Sequence, residues 1–281
     1  MGPRLLAVNA DDFGFTRDVN AGIVEAHTKG ILTSTTLMAN GAAFEDAVRL
    51  AGEVPSLDIG VHLVLVGGES LLAPRRSFPK TVSQLMKAVV LREIRVYDEL
   101  RAQMVKILDA GVRPTHLDTH KHTHLFPPVL DAVVRLSEEF GVRWVRRPFD
   151  LPITGSPSAV PLPKRAISRM FGSVRGQFHK KLAKHGCRTT DWFAGFQITG
   201  RFHAEDVVHL LENLPEGSTE FMVHPGFCTD ELRAARTRLK ESREAELRAL
   251  VDPRVTAAVE RLGIRLCGYG DVLGGDPAST A

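Results

Sequence analysis

Leu5-Leu6-Ala7-Val8-Asn9-Ala10-Asp11-Asp12-Phe13-Gly14 opens as a short apolar run and closes on two carboxylates and a glycine. A run of this length, apolar throughout rather than alternating, reads as a strand buried on both faces, the kind that parallel sheets contain. Similar runs recur at 34–38, 59–63, 115–118, 143–146, 196–199, 220–223 and 265–268. Between them, helical patterns cover 19–29, 44–51, a long 82–109, 128–140, 164–184, 204–213, 231–250 and 254–262. Several of these helices end in glycine, as at Gly30, Gly111, Gly141 and Gly263, the residue that most readily closes a helix. Strands alternating with helices predict an α/β fold, and eight such strands a barrel, whose functional groups belong at the C-terminal ends of the strands. Ionisable residues stand at those ends: Asp11 and Asp12 after the first, His62 in the third, Asp118 and His120 at the fourth, Arg146 and Arg147 at the fifth, His224 after the seventh.

The 281 residues, 43% hydrophobic and 25% charged, suit one large barrel, and the reading places it at 1–273 with a tail at 274–281. An insertion-like loop and a basic helix occupy about 148–190. A net charge of +3 is too small to imply nucleic acid as a partner. Cys187, Cys228 and Cys267 are far apart and form no C-x-x-C pair, which argues for free thiols rather than a disulfide framework or a cysteine zinc site. The N-terminus runs directly into a strand, and no apolar run has the length of a membrane span. The expected location is the cytoplasm.

Thr115-His116-Leu117-Asp118-Thr119-His120-Lys121-His122-Thr123-His124 concentrates four histidines and an aspartate on alternate positions. Along a strand, side chains sharing a face sit about 7 Å apart, whereas ligands of one metal ion all lie about 2 Å from it. The tract therefore supplies one or two ligands, and the others must come from elsewhere. Asp11 and Asp12 face opposite ways in a regular strand and serve one site only if the strand breaks, as Gly14 permits. Two such carboxylates can divide labour, one holding an ion and the other taking a proton. His62 lies within an otherwise apolar strand, and His224 begins a His-Pro-Gly turn. A histidine titrates near neutrality and suits proton delivery to a poor amine leaving group.

Asn9–Gly14, Thr33–Thr36, Gly60–Leu63, Thr115–His120 with His122 and His124, and Val223–Phe227 together resemble the YdjC-like carbohydrate deacetylases, a family that includes chito-oligosaccharide and hopanoid-sugar deacetylases. Residues 82–99 and 148–190 match poorly. The resemblance implies a distorted (β/α) barrel that binds one divalent cation, Mg2+ or Zn2+, through Asp12, His62 and His120, with Asp11 as general base and His224 as general acid. Asp118, His122, His124 and Arg147 are expected to face the substrate, an N-acetylated amino sugar that is either a free oligosaccharide or lipid-linked. Two imidazoles favour zinc, cobalt or nickel on ligand softness, while family members are described with magnesium as well.

The stretches 60–67 and 119–122 look closer to the hopanoid-associated branch. Lys164, Arg165, Arg169, Arg175, Lys180, Lys181, Lys184 and Arg188, with Ile167, Phe171, Val174, Phe178 and Leu182 at helical spacing, read either as a helix packed on the barrel or as a peripheral membrane contact through 164–188. A homo-oligomer stays open. The competing functions are a metal-dependent phosphoesterase and a non-catalytic sugar-binding barrel; release of acetate separates the expected hydrolase from both.

Overall fold

A computed structural model describes residues 2–151, 155 and 158–270. The tail expected at 274–281 lies outside them. Strand β1 (Arg4–Phe13) is the centre of a parallel sheet. It pairs on one edge with β7 (Gly217–Val223) and on the other with β2 (Ser34–Leu37). Beyond β2 follow β3 (Asp58–Leu63), β4 (His116–Thr119) and β5 (Trp144–Val145); beyond β7 lies β6 (Trp192–Ala194). Seven strands thus form the path β5-β4-β3-β2-β1-β7-β6. The eighth, β8 (Arg265–Leu266), pairs only with Leu5 and Leu6 of β1.

The distortion of the barrel follows from this pairing. Because β7 takes one edge of β1 from Arg4 to Ala10, β8 and β2 share the other edge, β8 near its start and β2 from Asn9 onward. On the far side, β5 and β6 do not pair; single bridges join Trp144 of β5 to Arg188, ahead of β6, and Phe193 of β6 to Asp150, beyond β5. The sheet curls without a continuous eight-strand wall. Its strands are almost wholly buried, and their side chains join the surrounding helices in one hydrophobic core.

Helices α1 (Arg17–Lys29), α2 (Phe44–Glu53), α5 (Pro127–Phe140), α8 (Ala204–Glu212) and α11 (Pro253–Arg261) fall where the periodicity predicts them. Three expected helices divide. The long 82–109 pattern breaks into α3 (Val82–Val90) and α4 (Val96–Asp109) around Arg92, whose φ of 57° stops the helix. The basic segment becomes α6 (Leu162–Ser173) and α7 (Arg175–Lys184), and 231–250 becomes α9 (Asp230–Ala234) and α10 (Glu241–Leu250). The single amphipathic helix expected at 164–184 is therefore not formed. α7 packs Phe178 and Leu182 into the core, whereas α6 buries no residue fully and leaves Leu162, Ile167 and Met170 exposed.

The strand expected at 196–199 is a turn, and β6 precedes it. Here side chains rather than a neighbouring strand satisfy the backbone: Phe196 N and Gln197 N donate to Asp150, and the Lys164 ammonium donates to the carbonyls of Phe196 and Thr199. No helix among the described residues is long and apolar enough to cross a membrane. Cys228 and Cys267 are buried and Cys187 partly so, and no disulfide links them among the described residues.

Candidate metal centre and active site

The two aspartates come to one site because β1 breaks at Asp12 itself. Its φ of 73° is left-handed, and the pairing with β2 shifts register between Ala10 and Phe13. Such a backbone is uncommon for a non-glycine residue and persists only where its surroundings hold it. The histidine tract bends in the same way. β4 ends at Thr119, and a short helical turn, His120–Leu125, carries Lys121 and His122 at φ 56° and 53°. The strand geometry expected beyond Asp118 is thus replaced by a turn that swings His120 toward Asp12.

Asp12 Oδ1 lies 3.4 Å from His62 Nε2 and 3.3 Å from His120 Nδ1, and those two nitrogens are 3.2 Å apart. This oxygen is buried and has no hydrogen-bond partner among the described residues. A buried carboxylate oxygen left open between two ring nitrogens is a donor set for a cation, and three protein ligands leave positions free for other groups. Asp11, His62 and Asp118 also approach one another. There, however, the Arg146 guanidinium already holds both oxygens of Asp11, at 2.6 and 2.8 Å, and one of Asp118, so a second cation would meet a fixed positive charge.

Two of the three candidate ligands, His62 and Asp12, are oriented from behind. His62 donates from Nδ1 to Asp118 Oδ1 at 2.7 Å, and the Thr36 hydroxyl lies 3.1 Å from the same nitrogen. Burial disfavours the His62 imidazolium, but the charges of Asp118 and Asp11 outweigh it and raise its pKa to about 10. A bound cation displaces that proton. Burial likewise opposes ionisation of Asp12, yet Arg243, donating to its other oxygen from α10, together with His120 and His62 holds its carboxyl well below the usual range. For Asp11, burial is overcome by Arg146 and then His62, so it too stays ionised.

His224 follows β7, with Nε2 3.8 Å from Asp11 Oδ2. Its backbone N donates to Glu246 of α10 at 2.6 Å. The turn is fixed by close backbone packing: a Cβ on Gly22 of α1 would lie 2.4 Å from Gly226 Cα. Burial pushes the His224 ring down to about 4, against the pull of Asp11 and Asp12.

With this geometry in view, the chain can be placed among known proteins. A family described as YdjC-like protein matches residues 5–261. The chain belongs to the YdjC-like family. Two curated relatives are named carbohydrate deacetylase. One, from Brevibacillus brevis, is 31% identical over 275 residues, covering 95% of this chain and 99% of its own. The other, from Geobacillus stearothermophilus, is 32% identical over 274 residues, covering 95% and 97%. The crystal structure of a proposed cellobiose-phosphate cleavage protein of Enterococcus faecalis superposes with a TM-score of 0.73 at 25% identity, covering 95% of this chain and 98% of that one.

In this YdjC-like chain the remaining expected site residues are spread over several environments. Asp118 is wholly buried, with His62 on one oxygen and Arg146 and Thr36 on the other. His124 is equally enclosed, with Nδ1 2.6 Å from the Thr119 hydroxyl and Nε2 donating to the Arg146 carbonyl at 3.0 Å. Neither can meet a substrate as expected, because every polar atom of each side chain is already engaged inside the protein. His122 differs: its ring sits edge-on to Phe171, Phe193 and Phe196, and its buried Nδ1 has no partner among the described residues. Arg147 lies beside the Phe149 ring, and its buried Nε is likewise unpartnered among the described residues. His116 donates from Nε2 to Asn9 at 2.9 Å and stacks on Tyr269. Its ring also explains Gly60, where a Cβ would come within 2.6 Å of it.

Sequence reasoning gave no role to Arg146, Arg243, Glu246 or Thr36. For Arg146 a signal exists, a charged residue ending an apolar strand. Arg243 and Glu246 stand in the charge-rich run Glu241-Ser242-Arg243-Glu244-Ala245-Glu246, where nothing marks the two that turn inward.

Proposed function

We propose that this YdjC-like protein is a divalent-metal-dependent carbohydrate N-deacetylase that releases acetate from an N-acetylglucosamine-type sugar. The observation that carries the reading is the open Oδ1 of Asp12 between His62 and His120, with Asp11 and His224 beside it. The names of the curated relatives support the same chemistry. Asp12, His62 and His120 would hold the cation, which supplies a Lewis acid for the acetamido carbonyl when bound. Two imidazoles and one carboxylate suit zinc better than magnesium.

The chain's own groups then divide the proton transfers. Asp11, kept ionised by Arg146, accepts the proton of the attacking water. His224 delivers a proton to the departing amine; its buried ring is neutral at rest, so that proton is the one Asp11 takes from the water and passes to Nε2, 3.8 Å from its Oδ2. The amide is converted to acetate and a free amine. His122 with Phe171, Phe193 and Phe196 offers an aromatic wall against which a sugar ring or an apolar aglycone can pack.

A lipid-linked amino sugar is the version of this substrate favoured by α6, which exposes Leu162, Ile167 and Met170 next to Arg165 and Arg169. A free chito-oligosaccharide is the other. Acetate release from both, after metal stripping and replacement, tests the reading. If neither substrate yields acetate with any divalent ion while a phosphate ester is hydrolysed, the protein is a phosphoesterase instead.

A further inference from the structure

A cavity of about 610 Å³ lies between the segment 70–80, α3, the 91–95 turn and α4. Its size is that of a small-molecule site, roughly 300–1,000 Å³. None of its lining residues belongs to the Asp12–His62–His120 cluster.

Its wall carries a specific demand. Glu99 of α4 is buried, and the Ser70 hydroxyl donates to its Oε1, but its buried Oε2 has no partner among the described residues. A carboxylate oxygen enclosed in this way calls for a donor. The rim carries Arg76, Lys80, Lys87 and Arg95 against Glu93. Arg95 is partly neutralised by Asp98 at 3.2 Å, and Arg76 spends one nitrogen on the Glu93 carbonyl. Lys80 and Lys87 stand exposed. An ammonium ligand would satisfy Glu99 but be repelled by this rim, whereas a hydroxyl attached to an anion satisfies both.

The backbone repeats a feature of the metal cluster. The described non-glycine residues with left-handed φ are Asp12, Lys121 and His122 at that cluster, and Arg75 and Arg92 in the two loops that wall this cavity. The left-handed backbones of Arg75 and Arg92 close a tight turn and the end of α3, and so set the course of the two loops.

We propose that this cavity is a binding site for a hydroxylated small-molecule anion of the sugar phosphate or sugar acid class, with hydroxyl recognition by Glu99 and anion recognition by Lys80, Lys87 and Arg95. The proposal does not rest on the deacetylase reading, since binding is measured without turnover.

Calorimetric titration of the full chain with glucose 6-phosphate and with glucuronate tests it, and the two probes distinguish a phosphate from a carboxylate ligand. One of them binds at a single site. Lys87→Ala with Arg95→Ala, both on the exposed rim, weakens that binding about tenfold, the loss of about 1.4 kcal/mol. Glu99→Gln weakens it by a similar factor but leaves any affinity for inorganic phosphate unchanged, and His120→Ala changes neither. Absence of binding by both probes at millimolar concentration overturns the proposal. So does binding that the rim substitutions leave intact, or inorganic phosphate binding as tightly as the sugar anions.

Discussion

Asp118 accepts a hydrogen bond from His62 Nδ1 at 2.7 Å, and this turns the other ring nitrogen toward Asp12. Partners behind a ligating histidine fix its tautomer and orientation, and their loss typically costs about 10–100-fold in metal affinity. Asp118→Asn is expected to weaken zinc binding by that factor, read by competition with a chromogenic chelator. Unaltered affinity in a folded variant would remove Asp118 from the support of the site.

Both oxygens of Asp11 are held by Arg146, so its part as a base can be tested apart from metal binding. Asp11→Asn keeps a polar group against Arg146, which retains Asp118 and Glu220 as partners. Metal content should stay close to that of the parent protein, while acetate release falls by about 10²–10⁴-fold, the usual contribution of a general base. Full turnover with normal metal content would sink the assignment.

How much of this was legible beforehand differs from residue to residue. Asp12, His62 and His120 stand at strand ends, and a strand end can be found from the apolar run before it. That Asp12 itself takes the left-handed backbone was not legible, because Gly14 two residues later is the residue whose chemistry invites a break. β6 was missed because Phe196-Gln197-Ile198-Thr199 carries the better strand pattern, and only Asp150 and Lys164, distant in sequence, draw its backbone groups into a turn. Arg243 and Glu246 were hidden for a related reason: periodicity reports apolar faces, and these two charges replace one.

Gly22 and Gly226 bring α1 and the His224 turn into backbone contact. Gly22→Ala inserts a methyl 2.4 Å from Gly226 Cα, so one backbone must move. Overpacking of this kind costs about 1–3 kcal/mol. A lowered melting temperature is expected, together with a larger fall in turnover than in metal affinity because His224 shifts. Native stability and turnover would show that the turn yields freely.

Burial raises the Glu246 carboxyl from 4.5 to about 7 even though Gly200 N and His224 N donate to it. With the folded value above the unfolded one, its stabilising contribution is whole below pH 4.5 and is lost as pH rises through about 7. Glu246→Gln lowers stability because an amide nitrogen cannot accept from both backbone donors, but it has no such titration. The gap in urea midpoint between parent and variant should therefore narrow from about pH 5 to about pH 8. A gap that stays constant or widens contradicts the raised value.

Isolated bridges beside β5 and β6, in place of any pairing of the two strands, leave the curled sheet with a seam, and α6 and α7 occupy the chain between those strands. Asp12 and Asp11 come from β1, His62 from β3, His120 from the turn after β4, His224 from the loop after β7, and Arg243 and Glu246 from α10. Arg146, directly after β5, is the one group holding the reacting carboxylates that comes from the stretch between β5 and β6. The α6–α7 segment beyond it can accordingly be exchanged for one of different length or polarity with the chain opened only between Arg146 and His224. The reacting groups and the Phe171 side of the aromatic wall then occupy separable lengths of one polypeptide, and a graft of α6 and α7 is the shortest route to giving the same chemistry a different substrate.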